Sequence, residues 1–516
     1  MPQSISHKIF RNTCFIILSK IISLLASLLI IPFIINEVGV ARYGIWVMLF
    51  AFIDYFNILE FGFGAATIKY TAKFYAKKRI NNIGQIIPTS MMFCLIMLPV
   101  QAIPFLLSDR IILFFNIIPG NYDEALFVLR GSIIIFFITQ FTSVFRNILA
   151  GIQRIDVRNY WEIFNTLLYV SGVLLTLKNG YGLKGLVILT GILRIIISFI
   201  YTICVFSLLP QIKGSIWSFN RTLFKDFLSY GIKLQITTIS GLFSFQLDKL
   251  LIGHFLKIEF VTFYELGSKI ASFIRKLPSI AFGALIPASA ELHEKQDHRR
   301  LETIYIKGGR YITLISAPIA VFLSVSAPTV IHIWMGEDNC FPQAILTARI
   351  LAVGYFFNII TGVVTSLVRG IGILKYEMNT SIFIAVTNFS LSLLLIIKTG
   401  FIGVLIGTAS AMAVGNAIYI YRFNKYLGIS LAVYIKKTFV WPFTSSLIAG
   451  AVIWIIQSST FFNHFLFTIN RLNMLVFFII IGIFYITMYI YLLISVKFLD
   501  KTDLNNFIQI FYSLRK

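Results

Sequence analysis

The apolar residues of this chain are gathered into long uninterrupted runs, and two of the clearest are residues 15–35 and 474–496. A helix needs roughly 20 apolar residues to cross the hydrocarbon core of a bilayer, and each of these runs reaches that length. The composition agrees, because 58% of the residues are hydrophobic and only 13% are charged, with a mean hydropathy of +0.86. Since lipid leaves backbone polar groups no outside partner, such runs predict an all-α polytopic membrane protein.

We count about fourteen such runs and interpret each as one membrane-spanning helix. They lie near residues 15–35, 45–68, 86–107, 126–149, 160–178, 184–208, 227–255, 263–288, 310–333, 344–368, 380–397, 401–421, 438–457 and 472–496. The first run is too long for the core of a signal peptide and no small-residue cleavage site follows it, so we expect it to be retained. The connectors are short and offer no Gly-Lys pair for a phosphate-binding P-loop, so ATP is not the expected energy source.

The chain carries 44 Lys and Arg against 21 Asp and Glu, which gives a formal net charge of +23. These basic residues are dispersed between the apolar runs, which argues against a nucleic-acid partner. With the N-terminus inside, roughly 26 of them fall in cytoplasmic segments and about 5 in outer segments, as the positive-inside rule predicts. We therefore expect both termini to lie in the cytoplasm.

Short segments of the first half recur in the second half about 219 residues later. The recurring segments are Phe63-Gly64-Ala65 with Phe282-Gly283-Ala284, Gly151-Ile152 with Gly370-Ile371, and Lys178-Asn179-Gly180-Tyr181 with Lys398-Thr399-Gly400-Phe401. Because an even number of crossings separates the copies, we predict two parallel-oriented six-helix bundles, residues 1–212 and 213–430. Residues 431–516 would add two further helices and a cytoplasmic tail. In such an arrangement the expected transport site is the interface of the bundles.

Ionisable side chains inside the predicted spans concentrate in the first two helices of each half. They are Lys20, Asp54 and Glu60 in the first half, and Lys233, Asp248, Lys249, Glu265, Lys269, Arg275 and Lys276 in the second. A charge at the bilayer centre costs roughly 2.5 to 3.5 kcal/mol on insertion scales, so such residues normally face one another or a wet cavity.

One group of these charges has helical spacing. Glu265, Lys269, Ser272 and Lys276 fall at positions i, i+4, i+7 and i+11, which places them on one helical face, with Arg275 beside them. A surplus of cations on such a face indicates an anionic ligand, such as a diphosphate attached to a sugar.

The same charges also have a purely structural interpretation. Glu265 with Lys269, and Glu60 with Lys20, would then be ion pairs inside the protein. Arg275 and Lys276 would extend their charged ends to the lipid headgroup layer.

Metal, cofactor and catalytic sites find little support in the sequence. The four cysteines, Cys14, Cys94, Cys204 and Cys340, are far apart and favour packing roles. The six histidines lack metal-ligand spacing, and no Ser, His and acid constellation suggests an enzyme. A dinucleotide-like pattern at residues 180–185 lies in a predicted hairpin with no preceding strand, so we expect no cofactor.

Several motifs in order resemble those of the polysaccharide-unit flippases in the multidrug, oligosaccharidyl-lipid and polysaccharide exporter (MOP) superfamily. They are Asn12, Pro32, the segment Gly39-Val40-Ala41-Arg42-Tyr43-Gly44-Ile45-Trp46, then Glu60-Phe61-Gly62 and Asp248-Lys249-Leu250-Leu251-Ile252-Gly253. The resemblance covers the first twelve predicted spans. Glu60 departs from it mildly, because that acidic position is often Asp in the family.

The resemblance implies alternating access that moves an undecaprenyl-diphosphate-linked oligosaccharide from the inner to the outer leaflet of a bacterial cytoplasmic membrane. On that basis, five cations would contact the diphosphate or acidic sugars: Lys20, Lys249, Lys269, Arg275 and Lys276. Three acids, Asp54, Glu60 and Asp248, would pair with these cations or couple a proton or sodium ion. Membrane lipid would be the other partner, with a lipid tail lying along the two extra helices.

Three other functions are compatible with parts of this sequence. A lipid II flippase of the same superfamily would share the features above, and a cation-coupled multidrug exporter would rely more on acids than on cations. A membrane polysaccharide polymerase is a different class, and it would be expected to carry a large outer loop, which the connectors do not provide.

Overall fold

The computed structural model describes residues 5–117, 119–215, 217–276, 278–279, 282, 285–336, 341–459 and 471–498. Within helices, the described side chains exclude those of residues 5–17, 59, 233–244 and 472. All regular elements in this part of the chain are helical, with no strand, which confirms the predicted all-α class. Gly283, Ala284 and Cys340 lie outside the described residues, as does the predicted tail beyond residue 498.

The described residues of the first half form ten α-helices. They are α1 (Ile5–Val38), α2 (Val40–Asp54), α3 (Phe63–Ala76), α4 (Ile80–Gly84), α5 (Ile86–Leu106), α6 (Ser108–Phe114), α7 (Tyr122–Gly151), α8 (Ile155–Lys178), α9 (Gly182–Leu208) and α10 (Arg221–Phe255). Short 3-10 helices are Tyr55–Glu60, Pro119–Asn121 and Pro210–Gly214.

The described part of the second half continues the series. Its helices are α11 (Glu259–Ala271), α12 (Phe273–Lys276), α13 (Leu285–Glu294), α14 (His298–Val325), α15 (Ala327–Met335), α16 (Pro342–Ile360), α17 (Gly362–Ile371), α18 (Lys375–Thr399), α19 (Phe401–Leu427), α20 (Leu431–Ile435), α21 (Trp441–Ser458) and α22 (Arg471–Ser495). A π-helical turn, Lys436–Val440, joins α20 to α21.

Among the described residues, 11 helical segments are long and apolar enough to cross a membrane, or 12 if the bent pair Val40–Ile58 and Phe63–Ala76 is one span. Exposed apolar side chains such as Ile188, Ile192 and Phe199 of α9 suit a lipid environment. The multi-pass architecture is therefore confirmed, but the count of fourteen is not. The predicted spans at 227–255 and 263–288 are the two outside this count. The first of them corresponds to α10, in which the side chains of residues 233–244 are not described. The second corresponds to the short helices α11 to α13.

Residues Met1–Thr262 form the first compact unit. In it, α7 packs against α2, α3, α5 and α9, and α1 lies along α8. The core is rich in aromatic rings, and Phe63 stacks on Phe93 with 3.7 Å between ring centroids. Because α10 packs on α2, α3 and α5, it belongs to this unit. The boundary predicted at 212/213 lies one helix earlier than the division that these contacts produce.

Residues Phe263–Lys516 form the second compact unit. In it, α16 packs on α14 and α19, and α18 pairs with α19. This last pair is joined by a buried polar contact, since Asn388 Oδ1 accepts hydrogen bonds from the Ser392 and Thr408 hydroxyls, each at 2.9 Å. The added helices α21 and α22 pack on α14. There the Tyr489 hydroxyl donates to the Leu314 carbonyl oxygen at 3.0 Å.

The two units repeat one close helix contact at positions that the sequence repeat relates. In the first unit, Gly151 at the end of α7 lies against Thr71 and the carbonyl oxygen of Ile68 in α3. In the second, Gly370 in α17 lies against Ser289 and the carbonyl oxygen of Ile286 in α13. Small residues allow backbones to approach this closely, so the recurring glycine has a structural cause.

Replacing Gly370 with Ala should destabilise the second unit. The new Cβ would lie 2.5 Å from the Ile286 carbonyl oxygen, a backbone atom that cannot move aside easily. Overpacking of this kind costs about 1 to 3 kcal/mol, which unfolding of the purified protein in detergent would measure. Gly120→Ala is the control, because a Cβ at Gly120 enters open space. Equal stability of the two variants would contradict the proposed role of Gly370.

Candidate functional site

Two carboxylates from separate helices, Asp54 and Asp248, lie near the Tyr55 side chain in the first unit. Asp54 ends α2, while Asp248 lies in α10 and is only 1% exposed. Gln246 of α10 donates a hydrogen bond from Nε2 to Asp54 Oδ2 at 3.0 Å. The Tyr55 side chain lies within electrostatic range of both carboxylates. We refer to Asp54, Tyr55, Gln246 and Asp248 as the acidic cluster.

The position of the acidic cluster depends on a break in the span that contains Asp54. Phe61 and Gly62 adopt left-handed φ angles of 45° and 67°, and the span bends by 51° there. Gly62 lies against Gly231 of α10, and a Cβ on Gly62 would come within 2.7 Å of the Gly231 backbone. Glycine meets both demands, positive φ and close approach. The crossing lays α10 against α2 and α3, which brings Asp248 towards Tyr55.

Glu60 directs its carboxylate to the start of the next helix. Its Oε1 accepts a hydrogen bond from the Gly64 backbone N–H at 3.1 Å, which satisfies one donor in the first turn of α3. Arg146 of α7 and Cys94 of α5 lie within electrostatic range of this carboxylate. The pairing with Lys20 that the sequence suggested is not among the described contacts of Glu60, and Arg146 is the cation beside it.

The two lysines predicted in the first unit have different surroundings. Lys20 lies on an exposed face of α1. Lys249 follows Asp248 in α10 and is half-buried. The structure therefore places Lys249 next to a member of the acidic cluster and Lys20 at the surface of its unit.

Several charged side chains of α11 and α12 lie near one another in the second unit. Lys269 Nζ lies 3.6 Å from Glu265 Oε1, one turn apart on α11. Lys276 is exposed and lies within electrostatic range of Glu265, Lys269 and Arg275. The chain continues as a helix across the boundary between α11 and α12, since the Lys276 backbone N–H donates to the Ser272 carbonyl oxygen at 3.0 Å. We refer to Glu265, Lys269, Ser272 and Lys276 as the cationic stripe.

The Arg275 side chain packs against the protein. Its guanidinium lies over the Tyr355 ring of α16, 5.1 Å from the ring centroid, and the side chain is half-buried. A cation over an aromatic face gains roughly 0.5 to 2 kcal/mol, depending on how far it is desolvated. The packing of α16 therefore helps to position Arg275.

Sequence reasoning missed four residues that complete these sites: Tyr55, Gln246, Arg146 and Tyr355. Gln246 and Tyr55 carried a usable signal, because each lies within two positions of a predicted acid. Arg146 and Tyr355 come from distant helices, and only tertiary packing brings them to Glu60 and Arg275.

The comparisons with known proteins agree with this architecture. Residues 9–293, more than half of the chain, match the family model described as polysaccharide biosynthesis protein. The chain belongs to the polysaccharide biosynthesis protein family. Residues 234–394 also match the MatE family model.

One relative and several solved structures extend this comparison beyond the family model. The chain is 24% identical over 452 residues to the uncharacterised membrane protein MJ1068 of Methanocaldococcus jannaschii, covering 82% of this chain and 86% of that protein. Its fold is similar to that of the lipid II flippase MurJ in an inward closed conformation, with a TM-score of 0.71, 15% identity and coverage of 94% and 99%. An inward-facing multidrug resistance MATE transporter of the MOP superfamily gives a TM-score of 0.64, 16% identity and coverage of 82% and 96%.

The Glu60 carboxylate should contribute to stability mainly through its hydrogen bond to Gly64. Glu60→Gln keeps an acceptor and should unfold near the wild-type temperature. Glu60→Ala removes the acceptor and should lose about 0.5 to 2 kcal/mol, as lost helix caps do. Thermal unfolding of the purified variants measures the difference, and equal losses in both variants would show that the charge of Glu60 matters more than the hydrogen bond.

Proposed function

We propose that this protein is a flippase for an oligosaccharide linked through diphosphate to a polyprenyl lipid. It would move undecaprenyl-diphosphate-linked units from the inner to the outer leaflet of a bacterial cytoplasmic membrane by alternating access, with both termini cytoplasmic. Membership in the polysaccharide biosynthesis family supports this class of cargo. The similarity in fold to a flippase and to a multidrug transporter supports a non-enzymatic role.

The observation that carries the proposal is the cationic stripe. Lys269 and Lys276 lie on one face with a single acid, Glu265, and Arg275 is held nearby over Tyr355. A diphosphate needs several donors with positive charge, since hydrogen bonds to ionised groups are stronger than neutral ones. We assign Lys269, Arg275 and Lys276 to the diphosphate or to acidic sugars. Lys20 and Lys249 of the first unit receive the same role on their charge alone.

We further propose that the acidic cluster binds the coupling cation, a proton or sodium ion. Two carboxylates near one phenol in a low-dielectric environment repel each other, so a bound cation stabilises them. Asp54 and Asp248 are the assigned ligands. Glu60, with Arg146 beside it, would contribute to the charge balance without binding the ion directly.

Two alternative functions from the same superfamily differ in which residues transport would require. A lipid II flippase fits the likeness to MurJ equally well, and it would need the same cationic residues. A cation-coupled multidrug exporter fits the likeness to the MATE transporter, but it would depend on the acidic cluster and tolerate loss of the stripe. The surplus of cations in the stripe favours an anionic cargo.

The double variant Lys269→Ala, Lys276→Ala should lower transport of a lipid-diphosphate sugar by at least about ten-fold, because each lost charge-assisted hydrogen bond costs roughly 1.5 to 3 kcal/mol. A fluorescent undecaprenyl-diphosphate sugar in proteoliposomes provides the measurement. The matched control is Lys295→Ala, an exposed lysine paired with Glu291 in the connector after α13. Unchanged transport in the double variant at normal protein levels would refute the cargo assignment.

Neutralising the acidic cluster should affect coupling rather than cargo binding. Asp54→Asn and Asp248→Asn should each abolish the response of transport to an imposed sodium or pH gradient, while binding of the lipid-diphosphate sugar persists. Asp226→Asn is the control, because Asp226 is an exposed acid on the same helix as Asp248. A gradient response that survives both cluster variants would exclude the cluster as the coupling site.

A further inference from the structure

The second unit contains a cavity of about 1010 Å³ whose lining is strongly basic. It lies where the first half of α14 meets the π-helical turn and the end of α22. Six cations line it: Arg299, Lys307, Arg310, Lys436, Lys437 and Lys497. Glu302 is the one carboxylate among its described lining residues. We refer to this cavity as the basic pocket, and none of these residues belongs to the cationic stripe.

The basic pocket is partly preorganised by the segment that follows α22. The Arg310 guanidinium donates to the Phe498 carbonyl oxygen, and it lies over the Phe498 ring at 4.4 Å from the ring centroid. Arg310 is half-buried, whereas Lys307, Lys436 and Lys497 are exposed. A guanidinium held by these contacts, with exposed ammonium groups around it, suits an anion that carries several oxygen acceptors.

An apolar groove of about 480 Å³ continues from the basic pocket along the same two helices. Its lining includes Leu314 and Phe322 of α14 and Tyr485 and Leu493 of α22. On α14, Leu314 lies one helical turn beyond Arg310, which is about 6 Å along the axis. On the other side, Leu493 precedes Lys497 by four residues. The cationic and apolar parts therefore adjoin on both walls.

We propose that the basic pocket and the apolar groove together bind one anionic phospholipid. Its phosphodiester headgroup contacts the lysines and Arg310, and an acyl chain lies in the groove between α14 and α22. The exposed Trp441 at the pocket rim is typical of a residue at the membrane interface, and basic pockets between membrane helices are suited to acidic headgroups. The bound lipid would link the last two spans to α14, a role separate from transport of the cargo.

Native mass spectrometry of the full-length protein tests this proposal, with anionic dioleoyl phosphatidylglycerol as the ligand and zwitterionic dioleoyl phosphatidylcholine, whose net charge is zero, as the comparison. The test variant changes one lysine on each wall to Gln: Lys307, Lys436 and Lys497. The control variant changes three exposed lysines elsewhere to Gln: Lys77, Lys225 and Lys425. We expect at least a ten-fold loss of phosphatidylglycerol affinity in the test variant, wild-type affinity in the control, and preference over phosphatidylcholine only where the pocket is intact. Equal affinity in the two variants would overturn the proposal.

A second variant examines the groove independently of the charges. A Cβ on Gly482 of α22 would lie 3.6 Å from the Phe322 ring, so Gly482→Leu should fold and fill the groove. It should weaken binding of dioleoyl phosphatidylglycerol while leaving dihexanoyl phosphatidylglycerol unaffected. Equal effects on both lipids would remove the groove from the site.

Two further ligands separate the possible sources of phosphate. Inorganic phosphate should compete with phosphatidylglycerol only weakly, and competition at equal concentration would mean that the pocket binds free anions. Undecaprenyl diphosphate should bind the test variant as well as it binds the wild type. If it alone loses affinity, the pocket belongs to the cargo pathway and the phospholipid proposal fails, whatever the outcome for Lys269 and Lys276.

Discussion

The cost of placing charge in a low-dielectric environment governs the arrangement of this protein. An ionisable side chain in lipid must find a partner or a wet surface, because its insertion is unfavourable by several kcal/mol otherwise. The described charges of the spans follow this constraint in different ways. Asp54 accepts from Gln246, Glu60 accepts from Gly64 with Arg146 nearby, and Arg275 lies over an aromatic ring. The Asp54 and Arg275 contacts also join separate helices, α2 with α10 and α12 with α16, so these charges contribute to the packing.

The helices that bring these charged groups together must also approach one another closely, and glycine residues allow this. Gly62 and Gly231 allow α10 to cross the broken span, and Gly151 and Gly370 repeat one contact in the two units. In lipid, the apolar side chains gain little from leaving the solvent, so tight backbone packing carries a larger share of helix association. The glycine positions therefore indicate where the helices of each unit are held, and the charged residues indicate what the surfaces between them can bind.

The all-helical class, most of the spans and the recurring glycine could be predicted from the sequence, because length, hydropathy and spacing are local properties. The break at Phe61-Gly62 and the inclusion of α10 in the first unit could not. Both depend on a crossing between segments about 170 residues apart, which no window of the sequence contains. The same limit explains why the neighbour of Glu60 could not be predicted. The acidic character of Glu60 was visible, but the choice between Lys20 and Arg146 as its neighbour is decided by how α7 packs on α3.

The members of the cationic stripe are not equivalent, and their surroundings rank them. Lys269 is already compensated by Glu265 one turn away, and Arg275 by the face of Tyr355. Lys276 is exposed and lies near Lys269 and Arg275, two like charges that raise the local positive potential. Under the proposed function, an anion bound at the stripe would relieve this repulsion, so the net gain on binding would be greatest at Lys276. Glu265 then acts to hold Lys269 in place rather than to cancel the stripe, because one carboxylate cannot neutralise three neighbouring cations.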